Sequence, residues 1–248
     1  IAGRRDRIVG TNMYANMTEE RLDPRPEDFA ENKKIRTADI EKFLAGVDAK
    51  AALAKVDANN FATVIDAAAT GATISEIRSA LGTGDSGEVK TIGAHRWSEK
   101  FEQLRETTEN FKAKNNDNVK IFLANMGPIP QHKIRADFVT GFLQVGAFDV
   151  LSNNGFMTAD ECAAAAKESG ADAVVICSTD DTYPQIVPEL APKLHAALPN
   201  ATVYLAGAAP AELAETYKAA GIDDYLNIRS NCYQTLTAMQ KKNSAEIV

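Results

Sequence analysis

The chain has little of several things, and each shortage excludes something. Only three cysteines occur in 248 residues, Cys162, Cys177 and Cys232, and none has a partner at a paired spacing. That excludes a disulfide framework and a Cys-based zinc site, and it fits free thiols in a reducing, cytoplasmic setting. The three histidines, His95, His132 and His195, have no partner four residues away and no nearby cysteine, so a metal-binding helix is not expected. No basic run stands out, and the net charge is −7 at a pI of about 5.1, which argues against a nucleic-acid or anionic-membrane partner. No apolar stretch approaches the roughly 18 residues of a membrane helix. The chain opens on Ile1 without an initiator Met or the apolar core of a signal peptide, and the expectation is a fragment or a product cut from something longer.

What is present is an ordinary globular composition, 45% apolar and 25% charged, and enough length for one or two domains. Residues 1–36 show little periodicity, and Asp23-Pro24-Arg25-Pro26-Glu27-Asp28 reads as extended, so this stretch is expected to be an arm. Residues 37–117 read as a helical linker region. Thr37 is the expected N-cap of one helix, Asn59/Asn60 of a second that Gly71 stops, and Thr73 with Glu76 forms a capping box for a third. Ser98 to about Phe111 reads as a longer helix with Phe101, Leu104, Thr108 and Phe111 on one stripe, and the polar run 112–118 as a linker.

From residue 118 to 248 the pattern becomes strand–helix alternation. Short apolar runs at 119–124, 148–151, 173–177, 202–206 and 224–228 read as strands. Helices are expected at 136–145, 158–168, 183–198, 210–219 and 230–241. Five such units predict an α/β, flavodoxin-like parallel sheet with helices on both faces and strand order 2-1-3-4-5. Its ligand crevice lies at the carboxyl ends of strands one, three and four.

The loop expected there, Asn125 to Arg135, carries no acid, and its single glycine, Gly127, precedes two prolines. His132 stands alone in it. Gly82-Thr83-Gly84-Asp85-Ser86-Gly87 matches a dinucleotide fingerprint but follows a helix rather than a strand, so it reads as a loop. Asp180-Asp181 could serve a receiver-like magnesium site only with acids at the end of strand one, and Asn125-Met126 are there instead. The pair reads as a polar loop that caps the next helix. His95 and Trp97, just before the long helix, read as packing and capping groups, and His195 as an exposed helix residue. Cys177 is expected to face the crevice.

Several segments resemble the C-terminal part of the adenosylcobalamin-dependent acyl-CoA mutases, above all the methylmalonyl-CoA mutase family. Arg4 to Tyr14 looks like the segment leaving their substrate-binding barrel. Asn60 to Leu81 looks like their post-barrel linker, and Ile92-Gly93-Ala94-His95-Arg96-Trp97 like the lead-in to the last helix before the cobalamin domain. Residues 118–242 resemble that domain, anchored by Val187-Pro188-Glu189-Leu190 and Ala206-Gly207-Ala208-Ala209-Pro210. The resemblance covers nearly the whole chain, without the barrel.

The family signature D-x-H-x-x-G would fall on Ile129, Gln131 and Ile134, so all three positions are changed; His132 is one residue out of register. The S-x-L pattern falls on Cys177-Ser178-Thr179, and the Gly-Gly pattern on Ala206-Gly207. The segment from Gly127 to Phe138 resembles the small (β) subunit of bacterial heterodimeric methylmalonyl-CoA mutases. The resemblance therefore implies a non-catalytic subunit of an isomerase serving propionate metabolism. It implies no catalytic residue and no cofactor in this chain, with adenosylcobalamin held by a large (α) partner subunit. Partners would be that subunit and the chain's own barrel. Ile129, Pro130 and Ile134 are expected to fill the unused crevice. Two alternatives stand beside this: a cobalamin carrier with His132 as lower ligand on a shifted loop, and a regulatory module that binds CoA or phosphate at helix N-termini.

Overall fold

A computed structural model describes residues 1–19, 28–82, 90, 92–93 and 95–243. The chain divides into two compact units, residues 20–93 and residues 1–19 together with 94–248.

Among the described residues, the first of these units holds four helices: α1 (Phe29–Leu44), α2 (Lys50–Leu53), α3 (Phe61–Ala69) and α4 (Ile74–Ala80). The expected N-caps Asn60 and Thr73 are in place, and Thr73 and Glu76 form both halves of a capping box. Gly71, at φ +92°, follows α3 where a left-handed residue is needed, because a Cβ there would lie 2.6 Å from Val47. The start of α1 corrects the sequence reading. Thr37 lies mid-helix, and the cap is Asp28, whose carboxylate accepts from the Ala30 and Glu31 amides. An acid at an N-cap satisfies orphan donors and favours the helix dipole, and that local chemistry outweighs the proline-rich run before it. Helix formation thus begins inside the stretch read as an extended arm. The G-x-G-x-x-G motif from Gly82 to Gly87 lies, beyond Gly82, outside the described residues.

The other unit is the sheet. Its strands are β1 (Lys120–Asn125), β2 (Asp149–Leu151), β3 (Ala173–Cys177), β4 (Thr202–Ala206) and β5 (Asp224–Leu226), all parallel, in the order 2-1-3-4-5. Its helices are α5 (Glu99–Asn115), α6 (Ile129–Leu143), α7 (Ala159–Ser169), α8 (Tyr183–Ala197), α9 (Ala214–Ala220) and α10 (Cys232–Asn243). The period of two sorts the strands' side chains into two cores. Ile121, Leu123, Val175, Tyr204 and Leu226 pack with α5, α6 and α10, whereas Phe122, Ala124, Val174, Ile176 and Leu205 pack with α7, α8 and α9. Both faces are covered, which is why the strands read as unbroken apolar runs.

α5 is longer than the sequence suggests. It runs through Lys112–Asn115 and stops at Asn116, which takes φ +52°. Its polar last turn was read as linker, but Phe101, Leu104 and Thr108 bury against the sheet unit, and the Gln240 amide of α10 donates to Leu104 O and Thr108 Oγ1 at 2.7 Å each. α8 tolerates Pro188 and Pro192 inside the helix because both lie on its solvent face, where freed carbonyls meet water.

Residues 1–19 pack on the same unit. Asn12 is fully buried; it accepts from the Ile8 amide and donates to Ile1 O and Asp6 O. The Arg4 guanidinium lies over the rings of Phe138 and Phe142, 5.8 and 5.4 Å from their centroids, and against the Met13 sulfur. The Arg105 guanidinium donates to Asn16 O at 2.7 Å.

Candidate functional site

The site is the end of the sheet where β1, β3 and β4 finish. There the chain after β1 behaves differently from the expected loop. α6 begins at Ile129, with Pro128 as N-cap and Pro130 in the first turn. The first turn of a helix has no intrahelical acceptor for its amides, so a proline costs nothing there and its fixed φ favours the helix. The prolines in the stretch expected to be a loop are helix starters.

This places His132 in the second turn of a helix. It is 3% exposed, and its ring is held from two sides. Nδ1 pairs with Gly127 O at 3.0 Å, and the ring rests on Gly155, where an added Cβ would lie 2.5 Å from both His132 Cε1 and Gly127 O. Gly155, at φ +99°, belongs to the segment after β2. Asn153 shapes that segment: its amide donates to Leu123 O, and its side-chain oxygen accepts from Gly155 N. The β1 end is extended by a bridge between Met126 and Phe156. His132 thus stitches the turn after β1 to the segment after β2. Beside it, Asn125 donates to Asn153 O at 3.1 Å, and its own buried Oδ1 has no partner among the described residues.

The crevice is open. A cleft of about 520 Å³ lies between α6 and the segments after β3 and β5. Pro130, Ile134 and Phe138 line one wall and Ile228 the other, but Ile134 is 79% exposed and Ile129 49%. The expectation that Ile129, Pro130 and Ile134 fill the crevice is therefore corrected: Pro130 and Ile134 line it without filling it, and Ile129 is not part of its lining. What spans the cleft is charge. Arg135 Nη2 donates to both carboxylate oxygens of Asp180 at 2.8 and 2.9 Å. Gly207, at φ +140°, lies beneath this pair, and a Cβ there would come 3.2 Å from Arg135 Nη1. Gln131 folds back so that its side-chain oxygen covers Gly127.

The floor is polar and ordered. Tyr183, 2% exposed, accepts from Ser178 N at 3.0 Å and donates to Ala206 O at 2.6 Å, tying the ends of β3 and β4. Ser178 Oγ donates to Met126 O, and Thr182 Oγ1 donates to Ser178 Oγ. Thr179 is half-buried and meets Thr182 through their hydroxyls. Cys177 and Ala206 are fully buried in the core beside α6, so Cys177 does not face the cleft as expected; burial raises its thiol pKa and leaves it no thiolate character. His195 is half-buried rather than exposed, its Nε2 2.7 Å from Gly221 O. His95 is exposed and pairs with Glu99, and Trp97 is exposed too. Among the described residues no group of three or more His, Cys, Asp or Glu could hold a metal ion, and no helix is long and apolar enough to cross a membrane.

The sequence of the family described as methylmalonyl-CoA mutase matches residues 1–86. A Porphyromonas gingivalis protein named methylmalonyl-CoA mutase small subunit is 30% identical over 154 residues, which is 62% of this chain and 24% of that protein. Over these stretches the chain is similar to the methylmalonyl-CoA mutase family. A Mycobacterium bovis relative, named as a probable small subunit of the same enzyme, is 30% identical over 148 residues, 59% of this chain and 23% of its own length. The chain thus spans about a quarter of the length of the curated relatives it matches. Among solved structures, a cobalamin-binding protein from Desulfitobacterium hafniense is similar at 16% identity and a TM-score of 0.40, covering 87% of this chain and 92% of that one. A CheY-like protein from Pseudomonas aeruginosa is similar at 17% identity and a TM-score of 0.41, covering 52% and 95%.

Sequence reasoning named Ile129, Gln131, His132, Ile134, Cys177, Thr179, Ala206 and Gly207. It missed Arg135, Gly155 and Tyr183. Asn153-Asn154-Gly155 carries a turn signal that could have flagged the glycine.

Proposed function

We propose that this chain is part of the small, non-catalytic subunit of a heterodimeric methylmalonyl-CoA mutase. In that reading a large subunit holds adenosylcobalamin and interconverts methylmalonyl-CoA and succinyl-CoA, and this chain supplies a stable cobalamin-domain fold that supports it. The names of the relatives favour the subunit role.

The observation that carries the cofactor-free part is the position of His132. A lower ligand must present a ring nitrogen to cobalt. This ring is 3% exposed and occupied by Gly127 O and Gly155. Releasing it would mean breaking that hydrogen bond and unwinding the start of α6. No carboxylate takes up the other ring nitrogen, so the support that orients a ligating histidine is absent among the described residues. The Arg135–Asp180 pair also spans the cleft beside it. The residues present do not fit the cofactor.

The test is a titration of the purified protein with hydroxocobalamin, followed by gel filtration and a visible spectrum. The expected result is no corrinoid retained at about tens of micromolar ligand. Stoichiometric corrinoid with a His-coordinated cobalt spectrum, lost in a folded His132→Ala variant, would overturn the reading.

A further inference from the structure

Asn154-Gly155 is the only asparagine–glycine pair in the 248 residues. It lies between β2 and α7, in the segment that packs against His132. The pairing matters chemically. An asparagine side chain can be attacked by the backbone nitrogen of the residue that follows it. Glycine hinders that attack least, because it has no Cβ and its backbone turns freely. Asn154 is exposed, so water reaches its amide. The attacking atom would be Gly155 N, and its N–H is engaged: it donates to Asn153 Oδ1 at 3.1 Å.

The same segment has no slack. Asn153 O accepts from Asn125 Nδ2 at 3.1 Å, and Asn153 Nδ2 donates to Leu123 O at 2.7 Å. On the other side, Phe156 N donates to Asn125 O at 2.8 Å, and Gly127 N donates to Phe156 O at 2.9 Å. The chain is therefore held on both sides of the Asn154–Gly155 bond. Between those anchors Gly155 lies at φ +99°, so close to its neighbours that a Cβ would stand 2.5 Å from Gly127 O and from His132 Cε1.

We propose that Asn154 is a spontaneous modification site that converts through a cyclic imide to isoaspartate, at a rate restrained by Asn153, and that the product displaces Gly155 from His132. In the first step Gly155 N bonds to Asn154 Cγ. Its proton passes through water to the side-chain nitrogen, which leaves as ammonia. Water then opens the imide. Cleavage at the main-chain carbonyl leaves the backbone running through the former side chain, longer by a methylene and carrying a new carboxylate. Cleavage at the other carbonyl leaves ordinary aspartate. Asparagine and water give an acidic residue and ammonia, so the step needs no oxidant, cofactor or enzyme. The lengthened chain, anchored at Asn153 and Phe156, relieves itself by lifting Gly155 away from the imidazole. The proposal is independent of the small-subunit reading.

The experiment ages the full-length protein at mildly alkaline pH and follows the peptide that contains Asn154 by mass spectrometry. Electron-transfer fragmentation separates isoaspartate, aspartate and unconverted asparagine. The parent is compared with Asn153→Ala, with Asn153→Asp, and with the parent unfolded in urea. Both substitutions lose the donation to Leu123 O, but only Asn153→Asp keeps an acceptor for Gly155 N–H. The two variants therefore separate the restraint from a general loss of stability. Circular dichroism checks that each folds, and the parent alone decides the site if one does not. The expected result is conversion at Asn154 in the folded parent, slower than in urea. It should run about three- to tenfold faster in Asn153→Ala, the factor that one net hydrogen bond supplies, and near the parent rate in Asn153→Asp. The isoaspartate form, isolated by ion exchange, should show shifted His132 imidazole resonances. A folded parent that does not convert while the unfolded chain does would overturn the site. Equal rates in the parent and a folded Asn153→Ala would overturn the restraint, and unshifted His132 resonances would overturn the link to the histidine.

Discussion

Removing a single oxygen from the centre of the site, by Tyr183→Phe, tests how the cleft is held. The ring of Tyr183 is fully packed, so the substitution leaves no cavity larger than a hydroxyl. What it removes is a two-way bridge: Ser178 N–H donates to the phenol, and the phenol donates to Ala206 O. Ser178 and Ala206 are both fully buried, so water does not replace the lost partner. Each orphaned buried backbone group costs about 1–3 kcal/mol. Together they predict a loss of about 2–4 kcal/mol, part of it recovered by relaxation at the end of β4. Because the chain has two units, one melting curve can blend two transitions. Native-state hydrogen exchange of the central amides of β3 and β4 isolates the sheet. A loss of that size speeds their exchange by on the order of 30- to 1000-fold. A change below about threefold, with the amides of Ser178 and Gly207 unperturbed, would refute the view that this phenol clamps the two strand ends.

The glycines give a contrast within one unit. Gly155→Ala places a Cβ 2.5 Å from Gly127 O and from His132 Cε1 in a left-handed backbone, and should cost at least about 2 kcal/mol and shift the His132 imidazole resonances. Gly141→Ala, within α6 and with nothing within 4 Å, should instead stabilise the fold through helix propensity by about 1 kcal/mol, read as a higher melting temperature; equal effects would refute the packing described for His132. The thiols predict a pH window. Burial raises the Cys162 and Cys232 thiols from 9.0 to about 12. The folded chain then binds more protons than the unfolded one between those values, so this contribution to stability is present below pH 9 and is lost as pH rises toward 12. Ellman's reagent at pH 8 should label none of the three cysteines in the native protein and all three after unfolding.

The strands were legible because each is a short apolar run bounded by turn residues, and both sheet faces are covered. The sheet order followed from their number and alternation. What misled the reading was punctuation. Prolines at 128 and 130 resemble a break and are a helix start, Thr37 resembles a cap and is helix interior, and the polar Lys112–Asn115 resembles a linker and is the last turn of α5. In each case the deciding fact is a neighbour in space or an orphan amide, not the residue's own preference. α9 likewise starts at Ala214 instead of Pro210, after a turn closed by Leu213 N–H to Pro210 O. The site was legible as a place and as a set of altered positions. Its working contacts were not, because Arg135–Asp180 and His132–Gly155 join residues 45 and 23 positions apart.

The amide of Gln240 that grips α5 reaches across 136 residues of chain. Tyr233, whose amide meets Ala2 O, spans a longer stretch still. During synthesis, then, the opening nineteen residues and α5 leave the ribosome long before their seats exist. The α5 contacts with Tyr233 and Gln240 must wait until α10 emerges. The arm and α5 complete their packing as a closing step, and a chain cut short of Tyr233 would leave the α10 share of that face uncovered, a ready target for chaperones.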